Sequence, residues 1–202
     1  TYYKVSKPNY GGETGDLKNA FDSIANEIIY LLDEGSYVED YMGYVEGDYN
    51  FNFINDASKL TITVGRGDAQ EKLDAVKIDD NHYGFGPVTV ETDSSDKVTT
   101  YRYNLEYIHG NMTDTEHFVW RINVPVGNLA PVALTYSVKL VNPNSASGTY
   151  GQYDADGSRN YSGLYTNNSA TLHPKDSNEN WGIPENFQKP TVSYTVSGGN
   201  SG

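Results

Sequence analysis

The chain has no cysteine among its 202 residues, which excludes disulfides and thiolate metal sites. A secreted protein of this composition must then be stabilised in some other way. Basic residues are scarce: 14 Lys and Arg stand against 27 Asp and Glu, a formal net charge of −13. That balance argues against a nucleic-acid partner or an anionic membrane surface, since both call for basic patches. No apolar run approaches the length of a membrane span, and the N-terminus lacks the basic-then-apolar pattern of a signal peptide. No membrane insertion is expected, and if the protein is exported the sequence is an internal piece of something longer. The histidines, His82, His109, His117 and His173, are scattered without ligand spacing and without a serine or cysteine nucleophile pattern. Neither a catalytic triad nor a bound cofactor is expected.

What the chain does have is eighteen tyrosines, six phenylalanines, two tryptophans and twenty glycines among many Thr, Ser, Asn and Asp. This mixture favours strands separated by polar turns. One segment differs. From 16 to 34, Leu17, Phe21, Ile24, Ile28 and Leu31 fall at helical spacing, with Thr14 or Asp16 able to cap the start and Gly35 placed for a left-handed C-terminal residue. An amphipathic helix is expected there, preceded by a short strand at Tyr2 to Val5.

After Gly35 the period changes to two. Val38, Asp40 and Met42 share a face, as do Leu60, Ile62 and Val64, and Val88 and Val90. Tyr101, Tyr103, Leu105 and Tyr107 alternate with polar residues, and Phe118, Trp120, Ile122 and Val124 follow. Val132, Leu134, Tyr136, Val138 and Leu140 continue the pattern, with Val192, Tyr194 and Val196 near the end. Seven or more such strands suggest a mainly β fold, an immunoglobulin-like antiparallel sandwich preceded by one long α-helix. Residues 142–160 read as a long surface loop and 197–202 as a flexible tail.

Two short stretches carry a family resemblance. Tyr165-Thr166-Asn167-Asn168-Ser169-Ala170-Thr171-Leu172-His173-Pro174-Lys175 and Val38-Glu39-Asp40-Tyr41-Met42-Gly43 resemble segments of the pilus-tip adhesins of Gram-positive bacteria. The N-terminal strand, the loop containing Pro8 and the expected helix resemble the end of a von Willebrand factor A domain, although its Asp-x-Ser-x-Ser metal motif has no match. The resemblance implies three parts: 1–35 as the last strand and helix of the inserted domain, 36–196 as an Ig-like stalk domain, and 197–202 as the tail. It further implies an adhesive, non-enzymatic role at the cell wall or pilus surface, outside the cell. Implied partners are neighbouring stalk or pilin domains and, through the parent protein, a host extracellular-matrix protein or glycan.

In that family an asparagine becomes joined to a lysine by an amide bond, assisted by a carboxylic acid. By resemblance Asp40 takes the acid's role, hydrogen-bonding the asparagine carbonyl and relaying protons as ammonia leaves. Independently, Asp40 shares the parity of Val38 and Met42, so it should face the interior, where its pKa would rise. The resemblance places the reactive asparagine at Asn167, but alternation from Leu164, Ala170 and Leu172 turns Asn168 inward unless a bulge intervenes. Asn167 is preferred and Asn168 retained. The lysine is expected to lie outside this chain, with Lys4 and Lys7 left open, because Lys139 alternates away from its apolar neighbours.

Other signals are weaker. Arg66-Gly67-Asp68 also reads as an ordinary turn, and Asp154, Asp156, Gly157 and Asn160 resemble a calcium loop without its distal glutamate. A carbohydrate-binding β-sandwich module of a secreted protein is the alternative reading, resting on aromatics that could stack on sugars. A hydrolase using Asp79 and Asp80, or Glu106 and Asp114, shows no motif.

Overall fold

The structure, a computed structural model, describes residues 16–23, 32–91, 96–110, 115–127, 130–151 and 163–198, with only the backbone described over 16–23. In chain order the strands are β1 (Asp16–Ser23), β2 (Tyr37–Met42), β3 (Tyr44–Val45), β4 (Tyr49–Phe53), β5 (Thr61–Val64) and β6 (Glu71–Asp74). They continue with β7 (Val76–Lys77), β8 (His82–Glu91), β9 (Lys97–Ile108), β10 (His117–Ile122), β11 (Val132–Leu140) and β12 (Gly148–Tyr150). The last are β13 (Leu164–Tyr165), β14 (Asn167–His173), β15 (Glu185–Asn186), β16 (Thr191–Val192) and β17 (Tyr194–Val196).

Two antiparallel sheets dominate. One runs β3-β4-β11-β5-β6 with β1 added on β11, and the other runs β15-β14-β2-β10-β9-β8-β7. Val138 pairs with both Leu17 and Phe53, and Leu134 with both Phe21 and Ile62, so β1 takes one edge of β11 while β4 and β5 share the other. The sheets meet through aromatic side chains. Phe53 of β4 lies 4.9 Å from Tyr107 of β9 and 5.5 Å from Phe118 of β10, ring centre to ring centre, and Phe118 packs edge-on against Tyr136 of β11 at 4.9 Å. The core is one cluster built from the alternate residues that the sequence marks as apolar. Burial of this apolar area is the main force holding the two layers together.

Three expectations are corrected. The helix over 16–34 is not seen: Asp16–Ser23 is extended and pairs along β11 from Lys139 to Val132, and 24–31 lies outside the described residues. Leu17 and Phe21, four apart, share a face in a strand as well as in a helix, so their spacing could not discriminate. Gly35 does take a positive φ of 96°, but within a tight turn where the Ser36 amide donates to the Asp33 carbonyl at 3.1 Å. Val88 and Val90 are exposed, together with Val98, because there β8 and β9 pair only with each other, as a two-stranded ribbon beyond the reach of β7 and β10. The expected loop from 142 contains a strand, β12, which pairs with β17, while 152–162 lies outside the described residues.

Candidate functional site

Asp40 sits in the middle of β2, opposite Phe118 of β10 on one side and Ala170 of β14 on the other. A central strand with both edges paired leaves its inward side chains no route to water. Asp40 is 1% exposed, and Asn167, Thr166 and Tyr136 are fully enclosed. Asn167 opens β14, where its partner is Met42, but the register shifts before Ser169, which pairs with Tyr41. Asn168 is thus the extra residue of a β-bulge. The bulge turns Asn167 inward and Asn168 outward, against simple alternation. Asn168 instead grips the neighbouring strand, its Nδ2 donating to the Tyr44 carbonyl at 3.2 Å and its Oδ1 accepting from the Tyr44 amide at 3.1 Å.

Inside, Asn167 Nδ2 donates to Asp40 Oδ1 at 2.5 Å and to the Tyr136 hydroxyl at 2.6 Å. Tyr136 in turn donates to Asp40 Oδ2 at 2.8 Å. The cluster therefore spans both sheets, since Tyr136 belongs to β11 and the other two to β14 and β2. The carbonyl of Asn167 does not face the carboxyl. It accepts from Thr166 Oγ1 at 2.7 Å, which corrects the expectation that Asp40 would hold that oxygen. Sequence reasoning gave Tyr136 only a packing role and Thr166 none. Their hydroxyls were the available signal, because a buried hydroxyl must find a partner.

Burial pushes the Asp40 carboxyl up to about 7, against the lowering effect of its hydrogen bonds from Tyr136 and Asn167. Tyr136 is raised well above the usual phenol range by burial and by the adjacent Asp40 charge. A second acid is half-buried: Glu116, raised by burial, accepts from the Tyr107 hydroxyl and from the Phe53 amide. Nothing in the sequence pattern marked it.

Among the lysines whose side chains are described, none is buried, and Lys139 is exposed as its parity requires. Lys4, Lys7 and the side chain of Lys18 lie outside the described residues. Arg66, Gly67 and Asp68 are exposed at a 3-10 turn, Gly67–Ala69. Asp79 organises an exposed turn, its carboxylate meeting the His82 ring at 2.8 Å. Asp114 and the Asp154 loop are outside the described residues, among which no group of His, Asp and Glu could hold a metal ion. Among the described residues about half of the aromatics are buried and most of the others are half-buried. Trp181, 58% exposed, is an exception that stands edge-on to Tyr37 at 5.7 Å.

No protein-family model and no curated protein matches this sequence. Two solved structures are similar in fold. One is the adhesive tip pilin GBS104 of Group B Streptococcus agalactiae, at 16% identity and a TM-score of 0.39, over 82% of this chain and 22% of that one. The other is the RrgA Jo.In complex, at 13% identity and a TM-score of 0.40, over 96% of this chain and 93% of that one.

Proposed function

We propose that this chain is a structural, adhesive β-sandwich segment of a bacterial cell-surface or pilus-tip adhesin, and that Asp40 and Asn167 are two members of an amide cross-link site. The observation that carries it is the enclosed Asp40, Asn167 and Tyr136 cluster tying one sheet to the other. An acid beside a lone amide, both out of water, is a costly arrangement for stability alone. It suits a reaction in which an amine displaces ammonia from Asn167 with Asp40 as proton carrier. The amine comes from a lysine outside the described residues, on a segment that precedes the inserted domain in the longer protein. The immunoglobulin-like topology and the boundaries at 35 and 196 belong to the same proposal.

A covalent tie between sheets raises the barrier to unfolding, which is what a fibre under shear requires. Its cellular place would be the wall or pilus surface, with stalk or pilin domains as neighbours and a host matrix protein or glycan as distant ligand. The carbohydrate-binding alternative needs an open aromatic strip. Trp181 and Tyr44 are the large aromatics most open to solvent among the described residues, and the others are buried or half-buried.

The test is intact mass. The full-length protein should be one ammonia lighter than its sequence, Asp40→Ala and Asn167→Ala should restore the full mass, and the 202-residue chain alone should show no loss. Full sequence mass in the wild-type long protein would defeat the cross-link reading.

A further inference from the structure

We infer that Thr166 is a catalytic hydroxyl in the amide exchange at Asn167, holding the carbonyl oxygen as it takes up negative charge, while Asp40 and Tyr136 serve the departing nitrogen. This rests on the reading of Asn167 as the residue that accepts the amine. The side-chain amide presents its two ends to different partners. Oδ1 accepts from Thr166 Oγ1 at 2.7 Å, whereas Nδ2 faces Asp40 Oδ1 at 2.5 Å and the Tyr136 hydroxyl at 2.6 Å. The donor on the oxygen polarises the carbonyl for attack, and the two acceptors of the nitrogen's protons stand where a proton must be delivered once the carbonyl has been attacked.

Thr166 is held from both sides. Its amide donates to the Pro190 carbonyl at 3.1 Å and its carbonyl accepts from the Gly43 amide at 2.8 Å. The hydroxyl has one proton, and a second acceptor, the Pro190 carbonyl, is 3.4 Å away. The nearer oxygen of Asn167 takes it. The residue is fully enclosed, and a fixed donor shielded from solvent is worth far more than the same donor in water.

A neutral amine attacks Cγ of Asn167, a new C–N bond forms, and the C=O electron pair moves onto Oδ1 facing Thr166. The amine's proton passes to the Asp40 carboxylate, and a proton returns from the carboxyl to Nδ2, directly or through the Tyr136 hydroxyl. The Cγ–Nδ2 bond breaks, the pair on Oδ1 reforms the carbonyl, and ammonia departs. Asp40 and Thr166 end as they began.

The experiment follows newly made full-length protein by intact mass after translation is stopped, reading the rate of ammonia loss. Thr166→Val removes the donor with little change of shape and should slow the loss by about a hundredfold or more, the usual effect of removing one oxyanion donor. Thr166→Ser and Thr166→Ala both lack the methyl and differ only in the hydroxyl, so Ser should recover most of the rate and Ala should not. Far-UV circular dichroism and thermal melting check that each variant folds, and if Val does not fold the Ser and Ala pair decides. Equal rates for Ser and Ala, or a wild-type rate in folded Val, would overturn the role of Thr166 while leaving the cross-link itself intact. No ammonia loss in the wild type would remove the reading beneath it.

Discussion

Asn167 Nδ2 lies 2.5 Å from Asp40 Oδ1, although the two residues are 127 positions apart in the chain. Strand pairing produces this contact. β14 lies beside β2 in the same sheet, and one bulge residue between Asn167 and Ser169 rotates the amide to the inner face.

Stability should depend on pH through Asp40. Its carboxyl is raised from 3.8 to about 7 in the folded chain, so over that interval the native state binds a proton that the unfolded state does not. Unfolding free energy should therefore be greatest near pH 4 and fall as pH rises towards 7, where the buried group must ionise, a loss on the order of a few kcal/mol. Glu116, also raised, adds a slope of the same sign. Asp56, Asp79 and Asp176 are lowered, so their contribution is present at neutral pH and fades only in more acid solution. Urea unfolding of the 202-residue chain across this range, compared with Asp40→Asn, checks it: the variant should show a flatter profile.

Tyr136→Phe should cost about 1 to 3 kcal/mol, because it removes a buried hydroxyl that donates to Asp40 and accepts from Asn167. The hydrogen bond from Tyr136 lowers the Asp40 pKa, so its loss should also carry the pH-dependent slope to higher pH. Denaturant midpoints at neutral and mildly alkaline pH measure both effects.

Gly43 closes the stretch Val38 to Gly43 for a steric reason. A Cβ there would overlap the Tyr165 carbonyl, and the Thr166 carbonyl carbon would be 2.9 Å away. Gly43→Ala should thus push β14 from β2 and lower the melting temperature by several degrees. Gly127→Ala is the control, since a Cβ at that position meets nothing within 4 Å.

Much of this arrangement was legible in the sequence, and the failures have physical causes. Period-two alternation exposes one inner face per strand, so the burial of Val38, Asp40, Met42, Leu134 and Tyr136 and the exposure of Lys139 could be read directly. Alternation cannot say that a strand pair runs on beyond its neighbours, which is why Val88 and Val90 were expected to be half-buried. Nor can it foresee a bulge, so parity alone chose Asn168. At 16–23 the pattern fits two periods at once, and pairing along β11 decided the matter. Tyr136 and Thr166 escaped notice because each has an ordinary structural reason to be there, and only their distances to Asn167 give the hydroxyls a second use.

The central claim is tested most directly by digesting the full-length protein and sequencing the Asn167 peptide by tandem mass spectrometry. The expected result is a branched peptide in which Asn167, having lost ammonia, is joined to a lysine from a segment before residue 1 of this chain. Recovery of the Asn167 peptide as a linear, unmodified species, or a branch at Asn168 instead, would contradict it.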